Sequence, residues 1–157
     1  MKTKHRAAAH AKRRWHASNT SWLETLAANS DPCPQHATQI SNAVRIAFER
    51  LKSGHGTADD FNRLGAALNV ALIRAEDIDP LAEETMLAGI AGMNNCDAIW
   101  QRHHRYGFTG PDLIAVSDAV NLYEDILRIS KPLLMEKAAQ EAARRMLAQA
   151  QAQGVAA

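Results

Sequence analysis

The residues best suited to chemistry fall into two basic clusters and a scatter of polar groups beside apolar stripes. In MKTKHRAAAHAKRRWHASNTSW the first sixteen residues hold Lys2, Lys4, Arg6, Lys12, Arg13 and Arg14, the histidines His5, His10 and His16, and Trp15 next to Arg14, with no acid among them. That set suits phosphates: each neutralised phosphate releases condensed counterions, and an indole can stack on a base. The same charges would meet an acidic protein surface. A solvated basic tail is the plain alternative, and the Arg, Ala and Ser content also overlaps with a mitochondrial presequence.

The second cluster, RHHRYGFTG at 102–110, concentrates Arg102, His103, His104 and Arg105 ahead of a glycine loop. Two guanidiniums offer paired donors to an anion or to a partner carboxylate. Structurally, the same cations would end a helix, where its dipole favours positive charge and glycine stops it.

Metal chemistry has less material. Asp97, His103 and His104 lie one to two turns apart on one expected helix, and Cys33 with His36 makes a C-x-x-H pair. Bundles that hold metals draw on converging ligands such as Glu-x-x-His pairs, and the chain contains neither that motif nor HExxH. No metal and no cofactor is expected. Phosphate-cradling glycine motifs, GxxxxGK[ST] and GxGxxG, are also missing. Asn69, Arg74, Glu76 and Asp118 sit close to apolar stripes, where a polar group needs a partner, so they are expected to form a buried network or line a cleft. With no nucleophile and matching base beside them, no catalytic residue is assigned.

The elements that must carry these groups are helical. The chain has 157 residues, the size of one ordinary domain, with 46% hydrophobic and only 5% aromatic residues and many alanines. No apolar run approaches the roughly 20 residues needed to cross a bilayer. No signal peptide is recognisable, and a cytoplasmic protein is expected. Two distant cysteines, Cys33 and Cys96, suggest no disulfide framework. The net charge of +1 hides an asymmetry: beyond residue 16 twelve basic residues face seventeen acidic ones, a net −5.

Ser21 and Glu24 make a capping box before Trp22, Leu23 and Leu26, and SDPCPQ at 30–35 then breaks the chain. Apolar spacing predicts helices over about 35–52, stopped by SGHG; over 57–76, capped by Thr57; and from Asp79–Pro80 to about Tyr106. A further helix starts at Pro111, its apolar surface widened by Ile114 and Ile129 into a candidate for the bundle centre, and an Ala-rich one covers 132 to about 151. Within 61–78, Leu64, Gly65, Leu68, Asn69, Val70 and Ile78 loosely fit a helix-turn-helix, but one long amphipathic helix accounts for them more simply, and Glu76 and Asp77 would repel phosphate. The expectation is an all-α, single-domain bundle of five to six helices: a flexible basic arm at 1–20, the bundle at 21–151 and a frayed tail at 152–157.

The stretch FERLKSGHGTADDFNRLGAALNVALIRAEDIDPL, residues 48–81, resembles uncharacterised small helical proteins of proteobacterial plasmids and prophages. The resemblance carries no catalytic residues. It implies an accessory or regulatory role in a mobile element, including interference with a host system. The expected function is therefore a non-enzymatic helical interaction protein with a protein partner, compatible with a homodimer; the alternative is a nucleic-acid-binding regulator that uses the basic arm.

Overall fold

The structure, a computed structural model, describes residues 34–152. They form five α-helices and no strand: α1 (Pro34–Lys52), α2 (Ala58–Ile78), α3 (Pro80–His103), α4 (Gly110–Ile129) and α5 (Pro132–Ala152). The basic arm, the capped segment at Ser21 and the tail from residue 153 lie outside the described residues.

Local chemistry sets the helix ends. α1 closes in a Schellman turn: Gly54 adopts φ +78°, a conformation glycine takes without Cβ strain, while the His55 N–H donates to the Arg50 carbonyl at 3.0 Å. α2 opens on a capping box, the Thr57 hydroxyl accepting from the Asp60 N–H and the Asp60 carboxylate accepting from the Thr57 N–H. Asp79 caps α3 with Pro80 in its first turn, and Thr109 caps α4 ahead of Pro111. Ser130 ends α4 in extended backbone, so the segment before Pro132 is a break rather than a kink.

α2 continues to Ile78 without interruption, the single long helix expected in preference to a helix-turn-helix. Two sequence expectations change. α3 stops at His103 instead of Tyr106, because His104 turns left-handed at φ 53°. The centre of the bundle is α2, not α4. α2 packs against all four other helices and buries Leu64, Ala67, Leu68, Ala71, Leu72 and Ala75 along its length, whereas Ile114 and Ile129 of α4 are 65% and 69% exposed. Alanine and glycine let the neighbours of α2 come close on every side.

Short connections make α1 to α5 run alternately up and down. Around α2 the core gathers Val44 and Leu51 from α1, Met86, Ile90 and Met93 from α3, and Val116, Val120 and Tyr123 from α4. Each large apolar side chain so enclosed contributes about 1.5–3 kcal/mol. Two ends result. One holds the 53–57 and 104–109 loops; the other holds the start of α1 with the α2–α3 and α4–α5 turns, where Arg74 Nε approaches Ser130 Oγ at 3.5 Å.

Candidate functional site

The C-terminus of α3 projects a cationic knuckle. Arg102 and His103 lie in its last turn, His104 is the left-handed cap whose N–H donates to the Trp100 carbonyl at 2.8 Å, and Arg105 follows. All four are exposed, and no acid occurs between residues 98 and 111. Beneath them the aromatic ring of Tyr106 is buried. It stacks on Phe61 of α2 at a centroid distance of 5.2 Å and on Trp100 of α3 at 5.9 Å, while Trp100 meets His104 edge-on. Phe108 in turn contacts Phe48 of α1 at 6.0 Å. The aromatic wedge thus fixes the loop on three helices and leaves its charged residues outward.

Arg45, Arg50, Arg74, Arg128, Arg144 and Arg145 each pair with a carboxylate. Arg102 and Arg105 of the knuckle, and Arg63 on α2, pair with none among the described residues; of these three only Arg102 and Arg105 are adjacent at one helix end and exposed, with their fork-shaped donors toward water. On the neighbouring α1–α2 connection His55 is exposed, Lys52 pairs with Glu49 at 3.2 Å, and Arg50 lies 3.6 Å from the buried Asp60. Sequence inspection did not join this connection to 102–105. The signal was available in the short loops, which bring every second connection to the same end.

Of the other expected groupings, some lie outside the described residues and the rest come apart. Lys2, Lys4, Arg6, Lys12, Arg13, Arg14 and Trp15 lie outside the described residues, as does Cys33 of the C-x-x-H pair. No cluster of three or more metal-ligating side chains occurs among the described residues. Asn69, Arg74, Glu76 and Asp118 form no common network. Asn69 is buried and donates to the Gly65 carbonyl of its own helix at 3.0 Å, Arg74 pairs with Asp77, Glu76 pairs with Arg145, and Asp118 is exposed. Asn69, Arg74 and Glu76 diverge because successive turns of α2 face different helices, and Asp118 lies on α4.

Cys96 is fully buried, and burial pushes its thiol up to about 11 despite a hydrogen bond with the Gly107 backbone. It is an inert packing thiol, since the thiolate is the reactive form. Across the molecule, Arg45 Nε donates to Glu124 Oε1 at 2.8 Å, and Arg45 Nη2 donates to Asn121 Oδ1 at 3.0 Å. This guanidinium holds the Glu124 carboxyl below the usual range, and Glu124 raises Arg45 in return. The pair braces α1 against α4.

No described helix is long and apolar enough to cross a membrane. Comparison with protein-family models, with curated proteins and with solved structures found no match.

Proposed function

We propose that the chain is a non-enzymatic interaction protein that docks an acidic protein surface on the Arg102–Arg105 knuckle, assisted by the basic residues of 1–16. The observation that carries this reading is the pair of exposed arginines, without a carboxylate partner among the described residues, that the aromatic wedge holds at one end of the bundle. A guanidinium that is already positioned loses little freedom on meeting a carboxylate. The role that follows is regulatory: occupying or masking the partner's acidic surface, in keeping with an accessory factor that acts on a host macromolecule.

The direct test is affinity purification of the full chain from its native host, with and without nuclease, beside an Arg102→Glu/Arg105→Glu variant. Both positions are exposed, so the variant should keep its melting temperature. A nuclease-resistant partner lost in the variant is the expected result. Retention of that partner by the variant would sink the knuckle, and deletion of 1–16 measures the share of the arm.

The adjacency of Arg14 and Trp15 in a basic arm favours a second reading, nucleic-acid binding. It requires a duplex whose affinity falls roughly a thousandfold between 50 and 200 mM salt if six phosphates are neutralised. A duplex that fails to shift at low salt rules it out.

A further inference from the structure

We propose that His104 reads a carboxylate of the partner on the knuckle, and that the left-handed backbone at this residue is what aims its imidazole. This role rests on the docking reading of Arg102–Arg105 and adds the directed donor that makes such docking specific.

His104 is the one non-glycine residue with positive φ among the described residues, at φ 53° and ψ 29°. The left-handed region crowds Cβ against the following carbonyl oxygen, so a helix that ends in it ordinarily does so on glycine. The chain keeps to that at the end of α1, where Gly54 takes φ +78° at the same end of the bundle. Nor is the left-handed turn needed to stop a helix here. α2 ends at Asp79 and α4 at Ser130 in extended backbone, and in both the cap N–H donates to the carbonyl four residues back, as the His104 N–H does to Trp100. The terminus of α3 thus carries a conformational cost that neither termination nor its hydrogen bond requires. Costs of this kind persist where a side chain has a task.

The ring is also held in place. His104 is exposed, yet its imidazole stands at 87° to the Trp100 indole with a centroid distance of 6.0 Å. Trp100 is stacked on Tyr106, and Tyr106 on Phe61 of α2. An imidazole anchored to that wedge has less freedom to lose on binding than a side chain free in water. The two oxygens of a carboxylate offer about four acceptor sites, enough for one imidazole N–H and an arginine fork together. Arg102 and Arg105, on either side of the two histidines, have no carboxylate partner of their own among the described residues.

Nuclear magnetic resonance titration of the full chain with a capped diglutamate peptide tests this, read at the backbone amides of 102–107 so that binding by residues 1–16 does not enter. Wild type is compared with His104→Gly, His104→Asn and Arg102→Glu/Arg105→Glu. Glycine removes both ring and strain; asparagine tolerates the left-handed region and keeps a Cβ but lacks the ring. The expected result is a melting temperature raised by about 2–4 °C in His104→Gly. Peptide affinity falls about fivefold in the same variant, the effect of one hydrogen bond. His104→Asn loses affinity equally with no drop in melting temperature. An unchanged or lower melting temperature in His104→Gly overturns the proposal, as does wild-type affinity in either His104 variant. If that affinity persists while Arg102→Glu/Arg105→Glu abolishes binding, docking on the knuckle stands without His104. Amides of 102–107 that do not respond even in wild type overturn the docking reading and this role with it.

Discussion

Arg145 on α5 grips Glu76 on α2 with two parallel hydrogen bonds, Nη1 to Oε1 at 2.8 Å and Nη2 to Oε2 at 3.0 Å, while its Nε donates to Glu141 at 2.6 Å. α5 packs chiefly on α2, through Met135, Ala138, Ala139 and Ala142, so this fork closes an interface built mostly from small side chains. Glu76 keeps the Arg145 guanidinium firmly charged. Both side chains are about one-third exposed, which limits the value of the pair, but bidentate geometry places it above an ordinary surface ion pair. Glu76→Gln should lower stability by about 1 kcal/mol in urea unfolding. An unchanged midpoint would mean that the fork contributes nothing net.

The Arg45–Glu124 pair makes acid stability sensitive to one carboxylate. The folded carboxyl lies below its ordinary value of 4.5, chiefly because Arg45 donates to it. Its stabilisation is therefore complete above that value and fades as pH falls through the lowered folded pKa. Melting temperature measured from pH 7 to pH 3 should decline below about pH 4.5, and Glu124→Gln should be less stable at pH 7 yet show a shallower decline. Parallel profiles for the two proteins would contradict this.

Gly89 and Gly92 put the backbone of α3 against α4. A Cβ at position 89 would collide with the Ala119 side chain and lie 3.3 Å from the Ala115 carbonyl oxygen; one at 92 would lie 2.8 Å from Val116 and 3.1 Å from the Asp112 carbonyl oxygen. In an exposed helix Gly→Ala is favourable by about 1 kcal/mol. Here overpacking, about 1–3 kcal/mol, opposes that gain, and Gly89→Ala should be net destabilising. Calorimetry showing a raised melting temperature would disprove the close approach.

Tyr123 is fully buried, and its hydroxyl has no hydrogen-bond partner among the described residues. Burial drives its phenol pKa upward, so it stays protonated throughout the physiological range. Removing an orphaned buried hydroxyl relieves a desolvation cost, and Tyr123→Phe should be neutral or stabilising by about 1 kcal/mol. Destabilisation beyond that error would reveal a partner for the hydroxyl.

Part of the candidate site was legible in the sequence and part was not. The run Arg102, His103, His104, Arg105 before glycine announces a basic helix terminus. Its lack of carboxylate partners does not show there, because ion pairs such as Glu76–Arg145 join residues 69 positions apart. The aromatic wedge was equally hidden: Tyr106 reads as the tail of a helix, and only the left-handed turn at His104 swings it between Trp100 and Phe61.

Sequence alone determined where most of the described helices begin, and where α1 ends, since Thr57 with Asp60, Asp79 with Pro80, Gly54 and Thr109 act on backbone groups within a few residues of themselves; the end of α3 at His103 was not among these. Tertiary structure decided which helix lies at the centre. The apolar stripes of α2 and α4 look alike in one dimension, but α2 alone is flanked by all four others, and Ile114 and Ile129 are left in solvent. It also decided which arginines find carboxylates on other helices among the described residues. Pairing and burial depend on distances between helices, and no local spacing encodes them.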